Sequence, residues 1–479
     1  MARRRLLVTE HAKLSDRIAA ETGENVFKCY QCQKCTVGCP VADEMDVKPN
    51  RVLRLLQYGR DDAVLRSKTI WICAQCQTCV TRCPHNIDLP RMMDVAKQDA
   101  VRRHIPSPLP MVPIFNDAGS RQIRTLGRMY ELGLIGELKL RGFLAGERDL
   151  EPLKDEIRMG VRLLAAGKLS PIPEIVRPSR PVPSVGAEAK PKRIGYFPGC
   201  SLHATGIEYN LSTHRVANRL GLELAEPKGW LCCGSTPAHA TDHLLATRLP
   251  IHNLGLISQQ GDAEATMPCA ACYSRFRTAV YDVNRDEHLK KQVTEEVGFS
   301  YDNQVKVSHL LDTFLDKVGL DAIASAVTKP LADLKVVCYY GCLLTRPSRV
   351  TMAEHPEYPM RMDKLASALG AQSLDWGYKT ECCGSNLALT KADTAMRLSE
   401  RILRNAQDVG ADAVVVACSL CHVNLDTRQD VISRAGRAYN LPIIYFTQLM
   451  GLAMGMKPED LGMQKHLTNP LPLLRGKGF

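Results

Sequence analysis

The sequence predicts two dissimilar parts: a mainly α N-terminal domain, then a duplicated α/β domain whose two lobes are related by a pseudo-twofold axis. Three observations carry this. Two proline-closed cysteine tetrads sit among segments of helical periodicity before about residue 165. A proline-rich stretch follows them. Beyond it, short apolar strands alternate with amphipathic helices, and a set of five cysteines and a glycine occurs twice. The expected boundaries are 1–165 for the helical domain, 166–192 for the linker, 193–330 for the first lobe and 331–479 for the second lobe with a C-terminal tail.

In the first part, residues 50–56 and 91–97 place apolar side chains at helical spacing. In the linker, Pro171, Pro173, Pro178, Pro181, Pro183 and Pro191 favour extended chain over helix or sheet. At about 3.1 Å per residue it could span on the order of 65 Å, which leaves the arrangement of the two halves open. After it, residues 193–197, 305–307, 334–337 and 413–417 read as strands. The cysteines follow such strands, where ligands gather in open α/β sheets.

The chain has 479 residues and a formal charge of +11, spread without a basic run apart from Arg3-Arg4-Arg5. That distribution does not resemble a nucleic-acid footprint and indicates at most a bias toward acidic partners. No stretch of eighteen apolar residues appears, and the N-terminus turns polar too early for a secretory segment. The expected location is the cytoplasm, peripheral to the inner membrane only through partners. Nineteen cysteines in that compartment are expected to be ligands, because its thiol pools keep them reduced.

The first tetrad is Cys29, Cys32, Cys35 and Cys39 before Pro40; the second is Cys73, Cys76, Cys79 and Cys83 before Pro84. Three cysteines at intervals of three wrap one face of a cubane, and the fourth, redirected by proline, reaches the other cluster. The expected ligand sets are Cys29, Cys32, Cys35 and Cys83 for one [4Fe-4S] cluster, and Cys73, Cys76, Cys79 and Cys39 for the other. Zinc sites would instead pair two-cysteine knuckles.

The duplicated set is Cys200, Cys232-Cys233-Gly234 and Cys269-x-x-Cys272, recurring as Cys342, Cys382-Cys383-Gly384 and Cys418-x-x-Cys421. Adjacent cysteines on a regular strand face opposite ways, so each pair can serve one centre only if the backbone turns. Gly234 and Gly384 are expected to supply that turn. Five thiolates exceed what a cubane needs. Spacing alone leaves an ordinary cluster with a spare thiol, a redox-active disulfide and a larger cluster all open.

The stretches 196–203, 269–273 and 418–426 resemble the B subunit of heterodisulfide reductase, and the N-terminal domain, through residues 70–73 and 127–131, resembles its C subunit. The resemblance covers nearly the whole chain apart from the linker. It implies two noncubane [4Fe-4S] clusters, one on Cys200, Cys232, Cys233, Cys269 and Cys272 and one on Cys342, Cys382, Cys383, Cys418 and Cys421. A disulfide would be reduced between them by these ten catalytic cysteines, with electrons relayed from the cubanes. The fusion of C-like and B-like parts departs from the family's usual separate chains.

The resemblance also implies a flavin-containing donor resembling the A subunit, a disulfide or thiol substrate and membership of a larger complex. No dinucleotide fingerprint or phosphate-binding loop occurs, so no FAD or NAD is expected on this chain. Two alternatives stand beside the reductase. One is the iron-sulfur subunit of a glycolate, lactate or glycerol-3-phosphate dehydrogenase-type complex passing electrons to quinone; the other is an electron-wire subunit without a substrate. Cys338 is expected to be a buried core thiol. His203, His239 and His422 are expected to hydrogen-bond locally, with proton donation as the lesser role. Lys28 and Lys34 read as solvated charge, with tuning a cluster or guiding a partner as the alternative, and Trp71 reads as a shield against water.

Overall fold

The computed structural model describes residues 12–146, 151–177, 181, 193–434 and 436–479. Arg3-Arg4-Arg5 and linker residues 178–180 and 182–192 lie outside the described residues.

The N-terminal part is helical. Its longer helices include Pro49–Gln57, Leu89–Arg102, Met111–Leu126, Glu131–Leu144 and Glu151–Ala165. Leu89–Arg102 starts where its sequence says it should: the Asp88 carboxylate accepts the Arg91 N–H, and Pro90 occupies the first turn, where no N–H is needed. Met92, Met93, Val95 and Ala96 bury one side of this helix in the domain core with Trp71.

The second part contains two four-stranded parallel sheets. β1 (Arg193–Tyr196), β2 (Glu223–Ala225), β3 (Glu264–Met267) and β4 (Lys306–His309) lie in the order β2-β1-β3-β4. β5 (Lys335–Tyr339), β6 (Gln372–Ser373), β7 (Ala413–Val416) and β8 (Ile443–Tyr445) repeat it as β6-β5-β7-β8. β7 is buried at every position, as a central parallel strand covered on both faces requires. A single apolar core runs through both sheets, so the lobes are packed together.

The N-terminal domain docks on both lobes. Arg82 pairs with Glu357 (2.7 Å), Arg349 with Asp88 (2.7 Å) and Arg397 with Glu44 (2.7 Å) on the second lobe; Arg91 pairs with Asp282 (2.8 Å) on the first. The described linker residues lie along this assembly. The Val176 N–H donates to the Leu126 carbonyl (2.8 Å), and the Tyr130 hydroxyl donates to that of Pro171 (2.7 Å).

At the contact with the first lobe, Glu131 accepts a hydrogen bond from the Thr205 hydroxyl (3.0 Å) while its other oxygen is buried without a partner among the described residues. Burial raises its carboxyl to about 7, outweighing the Thr205 bond and Lys168. The folded chain therefore holds a proton there that the unfolded chain has released above its ordinary value of 4.5. Stability should fall as pH rises from 4.5 to 7 and then level off, by up to about 3 kcal/mol from this group. The thermal midpoint of anaerobic Glu131→Gln should accordingly drop less than that of the parent chain between pH 5 and pH 8; equal drops would refute the assignment.

Candidate iron-sulfur centres

Both tetrad loops use the same unusual backbone. Gln31 and Gln33 in the first, and Gln75 and Gln77 in the second, have positive φ between 57° and 66°. Left-handed residues at every second position curl each loop tightly, and such curled backbone offers amide N–H groups to an anionic cluster. One cavity is lined by Cys29, Cys32, Cys35 and Cys83, its neighbour by Cys39, Cys73 and Cys76, and Cys79 borders both. The fourth cysteine of each tetrad thus sits with the other tetrad's first three.

In each lobe, the Cys-x-x-Cys lies where a central strand gives way to a helix. Cys269 caps Ala270–Val283 after β3, and Cys418 caps Ser419–Thr427 after β7. The helix N-termini favour negative charge at both positions. Gly234 and Gly384 turn the chain at φ +77° and +79°, and their N–H groups each lie 3.4 Å from the sulfur of Cys232 and Cys382. Hydrogen bonding with Cys232 and Cys272 holds the Cys233 thiol down at about 6, and hydrogen bonding with Cys421 does the same for Cys383. The thiolate is the metal-ligating form.

Two further glycines admit the sulfurs. A Cβ on Gly199 would lie 2.8 Å from the Cys272 sulfur, and one on Gly341 would lie 2.9 Å from that of Cys421, both at positive φ. In each lobe, therefore, the turn before the first cysteine packs directly on the second sulfur of the later Cys-x-x-Cys, which only a residue without a side chain allows. Buried or half-buried thiols in contact with one another beside glycine turns fit a thiolate-bound iron-sulfur cluster at both places.

The centres are connected. Cys76 of the second tetrad contacts Cys382 of the second lobe, and both belong to one apolar cluster with Val41, Met45, Ile72, Leu387 and Leu398. The corresponding flank of the first lobe is covered by the 127–129 turn: the Cys232 N–H donates to the Gly127 carbonyl (2.9 Å), and Arg128 stacks 3.5 Å over Trp230. Between the lobes, the thiols of Cys269 and Cys418 interact directly. Ser201 and Ser419 hydrogen-bond beside them (2.6 Å), and Thr236 and Asn386 join the two Cys-Cys-Gly turns.

His309, not singled out by its sequence context, ties this junction together. Its Nδ1 accepts the Leu311 N–H (3.1 Å), so Nε2 carries the proton and donates to the carbonyls of Pro268 (3.1 Å) and Ala417 (3.0 Å), the residues preceding Cys269 and Cys418. Burial lowers its imidazole to about 4 and keeps it neutral.

The other sequence candidates behave as local partners. His203 lies 3.1 Å from Glu226, His239 lies 2.8 Å from Asp94, and His422 Nε2 donates to the Ile443 carbonyl (3.0 Å). Cys338 is buried on β5 with its sulfur 3.8 Å from the Ser373 hydroxyl, and Trp71 is 2 % exposed. Glu208, His422 and His466 also converge in the interior. The Tyr445 N–H fixes the Gln448 amide by donating to its oxygen (3.0 Å), and the amide nitrogen faces His466 Nε2 (2.9 Å). His466 Nε2 must then accept, its Nδ1 keeps the proton, and the imidazole has no lone pair for a metal.

A polar cleft opens where the helical domain meets both lobes, lined in part by Arg91, His239, His243, Arg275, Asp282 and Arg349. Arg91 and Arg349 have carboxylate partners; Arg275, one turn beyond Cys272, has no ion pair among the described residues. The same position after Cys421 is Asn424, which donates to the Cys383 carbonyl (2.6 Å). The two lobes are thus alike in fold and unlike in charge at their Cys-x-x-Cys helices.

The chain matches the 4Fe-4S dicluster domain family over residues 28–88 and the cysteine-rich domain family CCG twice, over 194–277 and 336–426. It is similar to the 8-methylmenaquinol:fumarate reductase membrane anchor subunit of Wolinella succinogenes, 29% identical over 59% of this chain and 99% of the relative. It is 28% identical to the B subunit of the Ferredoxin/F(420)H(2)-dependent CoB-CoM heterodisulfide reductase of Methanosarcina acetivorans, over 59% of this chain and 96% of the relative. The D subunit of the Dihydromethanophenazine:CoB--CoM heterodisulfide reductase of the same organism is 27% identical, over 54% and 60%. An iron-sulfur dicluster module and a duplicated cysteine-rich module are therefore joined here in one chain. Among the described residues, no helix is long and apolar enough to cross a membrane.

Proposed function

We propose that this chain, a 4Fe-4S dicluster domain fused to two CCG domains, is the iron-sulfur part of a disulfide oxidoreductase of the heterodisulfide reductase kind. In this reading Cys29, Cys32, Cys35 and Cys83 hold one cubane cluster, and Cys39, Cys73, Cys76 and Cys79 hold the other. Cys200, Cys232, Cys233, Cys269 and Cys272 hold one noncubane cluster, and Cys342, Cys382, Cys383, Cys418 and Cys421 hold the second. When bound, these groups would carry single electrons along the chain, giving the two that cleave a sulfur–sulfur bond or taking up the two released when one forms. The heterodisulfide reductase relatives supply the precedent for a reductase built as a complex, with a flavoprotein as the electron source proposed for this chain.

The observation that carries the reading is the meeting of the two five-cysteine sets through Cys269 and Cys418. Their neighbours give the route a direction. Cys76 touches Cys382, so the helical domain connects first to the second lobe. His309 holds the two Cys-x-x-Cys turns in register, and the Ser201–Ser419 pair ties the turn at Cys200 of the first lobe to the Cys-x-x-Cys of the second. Arg275, without an ion pair among the described residues, offers a cation for an acidic group on a disulfide entering by the polar cleft.

Reduction of one disulfide takes up two electrons and two protons and yields two thiols. Anaerobic protein with a reduced viologen should therefore oxidise two viologens per disulfide consumed. No turnover with any of a panel of acidic low-molecular-weight disulfides would refute the reading.

One relative favours a second reading, in which the same centres take electrons from a quinol. Oxidation of a menaquinol analogue by this chain without disulfide turnover would establish it instead.

A further inference from the structure

The two tetrads serve as internal controls for each other, because they share spacing, closing proline and left-handed glutamines. The residues between their cysteines differ in a way that the loop itself does not require. Around the second tetrad, Trp71, Ile72, Ala74 and Thr78 are at most 6 % exposed. The corresponding residues of the first are Phe27, Lys28, Tyr30 and Lys34: Phe27 is 67 % exposed, Tyr30 59 %, and both lysines are exposed. Val37, opposite Thr81, is 84 % exposed.

The buried copy faces the rest of the protein, with Cys76 on Cys382 and the Thr78 hydroxyl held by Arg346 (2.8 Å). The exposed copy places three large apolar side chains in water around Cys32, which is itself exposed. Cations rim this patch. Between residues 26 and 42 there is no acidic side chain. Exposed Arg51 and Arg54 lie on helix Pro49–Gln57, which Gln57 fastens to the loop through the carbonyls of Val26 (2.9 Å) and Cys29 (3.0 Å). An apolar centre with a charged rim is the anatomy of a transient protein interface.

We infer that Phe27, Lys28, Tyr30, Lys34 and Val37 form the docking surface for an acidic electron-carrier protein of the ferredoxin class, an entry point for electrons additional to the flavoprotein proposed above. This rests on the electron-relay part of the reading above and not on the disulfide. Each encounter moves one electron from the reduced carrier to this chain and leaves the carrier oxidised; no bond is made or broken. Opposite charge steers such encounters, so the association rate should fall with salt.

The test uses the full, anaerobically purified chain and a reduced acidic ferredoxin, with dithionite as the small donor. Lys28→Glu/Lys34→Glu should slow ferredoxin-driven bleaching of the visible iron-sulfur absorbance at least tenfold and weaken ferredoxin binding by calorimetry to a similar degree. Dithionite-driven bleaching should be unchanged, and the parent rate with ferredoxin should fall as salt is raised. The inference is overturned if the variant matches the parent with ferredoxin, if the parent rate ignores salt, or if dithionite slows equally. Bleaching by dithionite but never by ferredoxin overturns the docking surface alone; bleaching by neither overturns the relay as well. Failure to reduce a disulfide leaves the surface standing.

Discussion

Replacing Gly341 with alanine is expected to empty the second lobe of its cluster while sparing the helical domain. The new Cβ would sit 2.9 Å from the Cys421 sulfur, closer than carbon and sulfur can rest. The backbone there, at φ +70°, adds strain of about 1 kcal/mol or more for a residue with a side chain. Cys421 cannot retreat easily, because it stands in the first turn of Ser419–Thr427 behind the buried strand β7. Iron should fall by about four atoms per chain, and disulfide turnover by at least a hundredfold. Iron analysis and the viologen assay on one preparation check both. Unchanged iron would show that the thiols packed against Gly341 do not hold the group.

The second large effect is expected at the joint between modules. Cys382→Ser alters the residue that meets Cys76 and interacts with Cys342. Dithionite should still bleach the cubane centres of the variant, because Cys29, Cys32, Cys35, Cys39, Cys73, Cys76, Cys79 and Cys83 are untouched. Disulfide turnover driven through them should fall by about two orders of magnitude or more, the scale on which loss of a reacting group is felt. Rapid-mixing spectra combined with turnover distinguish this from general damage. Normal turnover would mean that Cys382 neither holds the second lobe's cluster nor carries electrons into it.

Much of this architecture can be read from residue types and spacing. The tetrads, the duplicated cysteine set and the glycine turns at 234 and 384 are local, and local chemistry dictates them. Strands 193–196 and 413–416 announce themselves by apolar runs. β2 and β6 do not, because they are edge strands of three and two residues with exposed or half-exposed side chains. β3 carries Glu264 and Thr266 in a run too short for a pattern, and β8 has only three residues.

What spacing could not supply is the meeting of distant segments. The linker composition left the two halves free, whereas Arg82, Arg349 and Arg397 pin the helical domain to the second lobe and bring Cys76 to Cys382. His309 looks like any histidine at a strand end until Pro268 and Ala417 are seen on either side of its Nε2. Lys28 and Lys34, read as solvated charge, are exposed as expected; their meaning emerges only from comparison with the buried copy of the same loop.

The most direct test of the central claim combines iron and acid-labile sulfide analysis with electron paramagnetic resonance of the oxidised protein, with and without an acidic thiol. The account predicts about sixteen irons per chain, from four clusters of four, and a paramagnetic signal that appears only with the thiol. About eight irons, the content of the dicluster domain alone, with no thiol-dependent signal would contradict it.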